Sequence, residues 1–267
     1  MTVGIIGSWP DMLTLFKFLQ KHDYEYIVYY DDLLRPYGDK PTKLVQAVIA
    51  DAIQVLRDRW CDQIILPPTR ELVFRDEKDV LPLFQTYMTK YCLTNSLVGK
   101  IGLIGDWSDI QIVQPILETF TQAYTLTSNQ QNTKKFHTPF ARRSKEVPLR
   151  KYFLTTLSYS DPMVNKVLKF DLRYFKDAQV DTLIPLNYGY FNYQTQISKL
   201  FNYKKCRFHK LEKLEKSFTD IVDLSKKTTN YSVQILYTGQ KELLQRQKKT
   251  MRTLQRGKEV EVVFEKI

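Results

Sequence analysis

Two short apolar runs set the architecture of this chain. Residues 3–7 (VGIIG) and 100–105 (KIGLIG) have strand length, and each runs straight into polar residues. Ser8-Trp9-Pro10-Asp11 follows the first and Asp106-Trp107-Ser108-Asp109 the second. After the first run, Met12, Leu13, Leu15, Phe16, Phe18 and Leu19 give a dense helical pattern. A second strand is expected at 25–30. A long helix follows, with apolar residues at Leu44, Val45, Ala47, Val48, Ala52, Ile53, Val55 and Leu56. Thr42 is positioned to start it, and the basic residues Arg57 and Arg59 mark its end. Residues 63–66 (QIIL) predict a third strand, interrupted by Pro67-Pro68. Strands alternating with helices at this spacing make a parallel sheet with crossover helices.

The second half repeats the scheme. Residues 125–135 are polar and read as an exposed loop, 152–157 are a candidate strand, and 163–175 a helix. Residues 181–186 predict another strand, which ends in Asn187-Tyr188-Gly189-Tyr190. Toward the end come a strand at 231–237, an amphipathic basic helix at 241–254 and a strand at 259–264. The expectation is an α/β protein of two similar parallel-sheet domains facing one another across a cleft.

A chain of 267 residues is long enough for two such domains. It has no apolar run near the ~18 residues that span a bilayer. Its first residues lack the basic stretch of a signal peptide, so a soluble, cytoplasmic protein is expected. Cys61, Cys92 and Cys206 are scattered, odd in number and without metal-type spacing, as are the three histidines. Reduced, buried thiols and no metal site are expected. The net charge of +11 is concentrated late: residues 204–267 hold 16 Lys and Arg against 8 Asp and Glu. Such a segment is either a solvated helical surface or a contact for an anionic partner.

Residues 29–40 (YYDDLLRPYGDK) place an acidic pair and a Pro36-Tyr37-Gly38 turn at the end of the second strand. Polar groups at a strand end are where open α/β sheets usually bind ligands. This stretch, the opening strand with Ser8, residues 101–105 (IGLIG), residues 181–184 (DTLI) and Tyr237-Thr238-Gly239 together resemble glutamate racemase, of the aspartate/glutamate racemase superfamily. The resemblance implies two flavodoxin-like domains related by a pseudo-twofold, with the active site between them and the C-terminal segment returning to the first domain. The expected division is residues 1–97 with 212–267, and residues 98–211.

That family inverts the α-carbon of glutamate without a cofactor, using one cysteine from each domain as proton carrier. A thiol must be activated for this, because its free pKa is near ~8.5. At the place of the first cysteine this chain has Pro67, or Pro68 if the match slides by one. Asn187 stands at the second, Gly189 at an assisting histidine, and Gly7 at an assisting aspartate. An amide neither takes nor gives a proton at neutral pH. Ser8, Tyr37, Gly38 and Thr69 match ligand-holding positions, while Trp9, Pro67 and Tyr188 are bulky enough to fill a cleft.

The expected function is therefore a glutamate racemase-like pseudoenzyme without two-cysteine activity. It would act as a binding or interaction protein toward a small carboxylate or amino acid, a second copy of itself, or another protein. Two alternatives stand beside it. One is a racemase or related enzyme using other groups at strand ends: Asp11, Asp31, Asp32, Asp106, Asp109, Arg70 or Glu71. The other is a contact with nucleic acid, or with a DNA-associated protein such as gyrase (which some family members restrain), through Lys248, Lys249 and Arg252.

Overall fold

The computed structural model describes residues 1–30, 40–130, 141–146, 162–201, 206–223, 231–238 and 262–266, with the backbone alone for 9, 121–130, 141–146, 163 and 262–266. The chain divides into two compact units, Met1–Leu83 with Glu215–Ile267, and Phe84–Leu214.

Among the described residues the first unit holds a five-stranded sheet in the order β3-β1-β2-β8-β9. Its strands are β1 (Thr2–Ile6), β2 (Glu25–Tyr30), β3 (Gln63–Ile65), β8 (Ser232–Tyr237) and β9 (Val262–Lys266). Every pairing is parallel. Helix α2 (Thr42–Asp58) buries Val45, Ile49, Ala52, Ile53 and Leu56, a stripe at helical spacing, against Ile6, Ile64, Leu66 and Leu236. Gly4 lets this helix come close: a Cβ there would stand 2.9 Å from the Leu56 side chain and 3.2 Å from the Cys61 sulfur. Helix α1 (Trp9–Leu19) buries Met12, Leu15, Phe16 and Phe18, and the Phe18 ring lies against that of Phe218. Arg57 near the end of α2 clamps both carboxylate oxygens of Asp79, which holds the Asp79 carboxyl below the usual carboxylate range.

The second unit has a four-stranded parallel sheet among its described residues, in the order β5-β4-β6-β7. Its strands are β4 (Lys100–Gly105), β5 (Ala141–Glu146), β6 (Thr182–Pro185) and β7 (Arg207–Phe208). A short helix α4 (Leu83–Tyr87) precedes them, and helices α5 (Trp107–Gln130), α6 (Pro162–Asp177) and α7 (Gln194–Leu200) connect them. Phe175 of α6 packs where Gly102 of β4 has no side chain; a Cβ there would meet its ring at 2.8 Å. Asp181, just before β6, accepts hydrogen bonds from the Ser96 hydroxyl and the Val98 N–H, pinning the turn that leads into β4.

Several expectations are revised. Helix α1 begins at Trp9 rather than Met12, because Ser8 takes the N-cap position and a proline is tolerated in the first turn. Pro67-Pro68 does more than interrupt a strand: Pro68 opens a short helix α3 (Pro68–Val73), with Pro67 at its N-cap. The loop expected at 125–135 is helical as far as Gln130, since Thr, Ser and Asn lower helix propensity without breaking a helix already nucleated. Strand β5 (ARRSKE) was not anticipated, having no apolar alternation. It lies at one end of the described sheet order, where charged residues discourage pairing with other chains. The candidate strand 152–157 and the basic helix 241–254 lie outside the described residues.

Candidate functional site

In the first unit, β1 pairs with β3 in a register ending at Ile5↔Ile65, so Gly7 and Pro67 leave the sheet side by side. The segments that follow carry Ser8 and Asp11 from one strand and Thr69, Arg70 and Glu71 from the other. All five side chains are buried, Asp11 to 0 % and Arg70 to 1 % exposure. Three ionisable groups buried together at the ends of two neighbouring strands are uncommon, because burying a charge is costly.

Asp11 lies one helical turn after Ser8 and turns back on it. Its Oδ2 accepts from the Ser8 N–H at 2.9 Å and from the Ser8 hydroxyl. The room comes from Gly7, where an added Cβ would stand 3.3 Å from the Asp11 Cβ. With its proton committed to Asp11, Ser8 offers a ligand only lone pairs. Pro67 bears no titratable group and caps α3, and Thr69 and Arg70 follow within the first turn of that helix.

In the second unit, β4 and β6 pair in a register reaching Ile104↔Pro185, which brings Asp106 level with Asn187 at the carboxyl ends of the strands. Chain connections leave these two strands in opposite directions along the sheet, the switch-point arrangement at which α/β sheets usually bind ligands. Asp106 and Asp109 are buried at the start of α5. Asn187 caps a 3₁₀ turn (Tyr188–Tyr193), and its side-chain oxygen accepts from the Gly189 N–H at 2.7 Å. Tyr188 is buried within that turn.

None of the three thiols stands at a strand's carboxyl end. Cys206 immediately precedes β7 and Cys61 lies two residues before β3, both at the amino ends, and Cys92 lies in a π-helical turn (Met88–Leu93). All three are buried. Burial pushes Cys61 and Cys92 up to about 12, and burial together with the Asp181 charge pushes Cys206 higher. Each is thus protonated at neutral pH, the reverse of an activated thiolate.

Among the described residues no group of three His, Cys, Asp or Glu side chains is placed to hold a metal ion, and no helix is long and apolar enough to cross a membrane. Tyr37, Gly38, Asp31 and Asp32 lie outside the described residues, as do Lys248, Lys249 and Arg252 and the side chain of Trp9. Tyr30, in the stretch that drew attention in the sequence, is buried and stacks on Tyr237, with ring centroids 5.3 Å apart and planes 9° from parallel. It braces the carboxyl ends of β2 and β8, and their register pairs the two tyrosines directly. Sequence reasoning missed the Ser8–Asp11 contact, although Ser-x-x-Asp before an apolar run is a capping signature.

No protein-family model and no curated protein sequence matches the chain. Solved structures do. A glutamate racemase isoform from Bacillus anthracis superposes with a TM-score of 0.75 at 13% identity, over 100% of this chain and 97% of that one. The glutamate racemase of Francisella tularensis in complex with D-glutamate gives 0.73 at 16% identity, over 100% and 97%. That of Aquifex pyrophilus gives 0.65 at 19% identity, over 98% of each chain. From its first strand to its last, this chain has the fold of the glutamate racemases.

Proposed function

We propose that the chain is a glutamate racemase-like pseudoenzyme: it lacks two-cysteine racemase activity and acts, without a cofactor and in the cytoplasm, as a binding or interaction protein toward a small carboxylate or amino acid. One observation carries this reading. Where the resemblance places the two proton carriers, the chain has Pro67 and Asn187, and the Asn187 amide is turned onto its own backbone at Gly189. The thiols the chain does possess are buried at other positions and held protonated. Positioned acid and base groups each supply roughly 10²–10⁴-fold, so a site missing both has no useful rate of α-proton exchange. Ser8 and Thr69, with Tyr37 and Gly38, remain as the ligand-holding set.

A second reading, an amino-acid racemase or related enzyme using non-cysteine groups, is favoured by the burial of Asp11, Arg70 and Glu71 together. Asp11 fills the space beside Ser8 that the resemblance gives to a carboxylate on residue 7. Incubation of the purified protein with L- and D-glutamate and with L- and D-aspartate, in deuterated water, separates the two. The pseudoenzyme reading expects no inversion by chiral chromatography and no α-deuterium by mass spectrometry, with thermal stabilisation by one of the acids. Inversion at an enzyme-like rate that disappears in Asp11→Asn establishes the second reading instead.

A further inference from the structure

The second unit carries a groove that shares no lining residue with either strand-end cluster. It lies where α6 packs beside α7, has a volume of about 330 Å³, and is lined by Lys169, Leu172, Arg173, Lys176, Leu200 and Phe201, with Asp177 at one end. The α6 residues recur at helical spacing, so one stripe of that helix forms a wall. Leu172 and Phe201 are buried and give the groove an apolar floor.

The charges around that floor are unbalanced. Asp177, the one acid in the lining, faces Arg173 at 3.7 Å. Lys169 and Lys176 are exposed, and among the described residues neither ammonium group has a hydrogen bond or an ion pair. Lys176, in the last turn of α6, offsets the negative end of the helix dipole; Lys169, two turns earlier, has no such role. Two ammonium groups without a partner among the described residues, beside an apolar floor, suit a ligand that is apolar at one end and anionic at the other.

Size narrows the occupant. At ~30 Å³ for each water-sized group, the groove holds about eleven of them, the low end of small-molecule sites and too little for a folded partner. We propose that this groove binds a small amphipathic anion, with an apolar body of roughly eight carbons lying on Leu172, Leu200 and Phe201 and one carboxylate or phosphate head taken by Lys169 and Lys176. The site is independent of the racemase-like clusters, so it stands whichever reading of those is correct.

Titration calorimetry with octanoate, octyl phosphate, octanol and inorganic phosphate, below micelle-forming concentrations, tests the assignment. At least one of the two amphiphilic anions binds, and which one identifies the head group; octanol and inorganic phosphate bind at least tenfold more weakly. The double variant Lys169→Ala/Lys176→Ala loses tenfold or more in affinity. Lys166→Ala, on the same helix but outside the lining, binds as the parent does. Both alanine variants remove exposed side chains, and an unchanged circular dichroism spectrum confirms that they fold. Absence of binding by both anions, equal binding of octanol, or undiminished affinity in the double variant overturns the proposal.

Discussion

The Asp11 carboxylate accepts both hydrogen bonds that Ser8 can donate, one from the backbone N–H and one from the hydroxyl. A buried carboxylate in that position joins helix α1 to the end of β1, and its removal strands two buried donors. Asp11→Ala is expected to lower stability by about 1–3 kcal/mol in urea unfolding. Adding Ser8→Ala to that variant costs much less than it does in the parent, because the two residues act as one unit. A variant more stable than the parent would mark Asp11 as a group kept for chemistry at the expense of folding.

The cysteines give a direct test of whether any thiol is poised for proton transfer. Burial holds Cys61 and Cys92 near 12 and Cys206 above that, so native protein at pH 8 presents almost no thiolate. Iodoacetamide should leave the folded chain essentially unlabelled over an hour and modify all three cysteines in urea, as read by intact mass. Rapid labelling of one site in the folded state would place a reactive thiol where the pseudoenzyme reading has none.

The parallel sheets were readable because buried strands leave a local signal. The apolar runs at β1, β4 and β6 end in polar clusters, and the helices between them have clear apolar stripes. Strand β5 left none, since a charged strand at the end of a sheet order is defined by its neighbour rather than by its own side chains. The site was legible as a set of residue types and not as contacts. Pro67 and Asn187 are singled out by the resemblance alone, and nothing local says that Asn187 bonds its own turn or that Asp11 bends back on Ser8. The groove beside α6 has a readable half, the basic stripe of Lys169, Arg173 and Lys176; its apolar floor depends on a second helix that only folding brings near.

His209 gives the second unit an acid-sensitive contact. Burial, then the charges of Arg207 and Lys213, lower it from 6.5 to about 4. The unfolded chain therefore binds this proton near pH 6.5 and the folded chain only near 4. Between those values the unfolded state holds more protons, so the stabilisation is fully present above pH 6.5 and is lost as pH falls toward 4. The contribution is at most roughly 3 kcal/mol. His209→Phe should flatten the stability profile across that window in urea titrations at stepped pH. An unchanged slope would assign the acid sensitivity to other groups.

Helices α2 and α6 end in the same backbone motif, and each has the wrong residue at its critical position. In α2 the Trp60 N–H bonds to the Arg57 carbonyl and the Cys61 N–H to that of Leu56; in α6 Gln179 bonds to Lys176 and Val180 to Phe175. This paired pattern closes a helix through one residue in the left-handed region, where glycine is favoured because a Cβ crowds the backbone. Trp60 has φ 61° and Gln179 φ 53°. Trp60 is 87% exposed, so its ring contributes little packing to offset that strain. Trp60→Gly and Gln179→Gly are each expected to add about 0.5–1 kcal/mol, the relief of strain exceeding the extra entropy of an unfolded glycine. Trp60→Ala and Gln179→Ala keep the Cβ and should gain nothing. Urea unfolding of the four variants decides the matter: equal effects of glycine and alanine would mean that φ is not the source of the strain, and a loss on removing the Trp60 ring would show that this exposed side chain is held by a contact of its own.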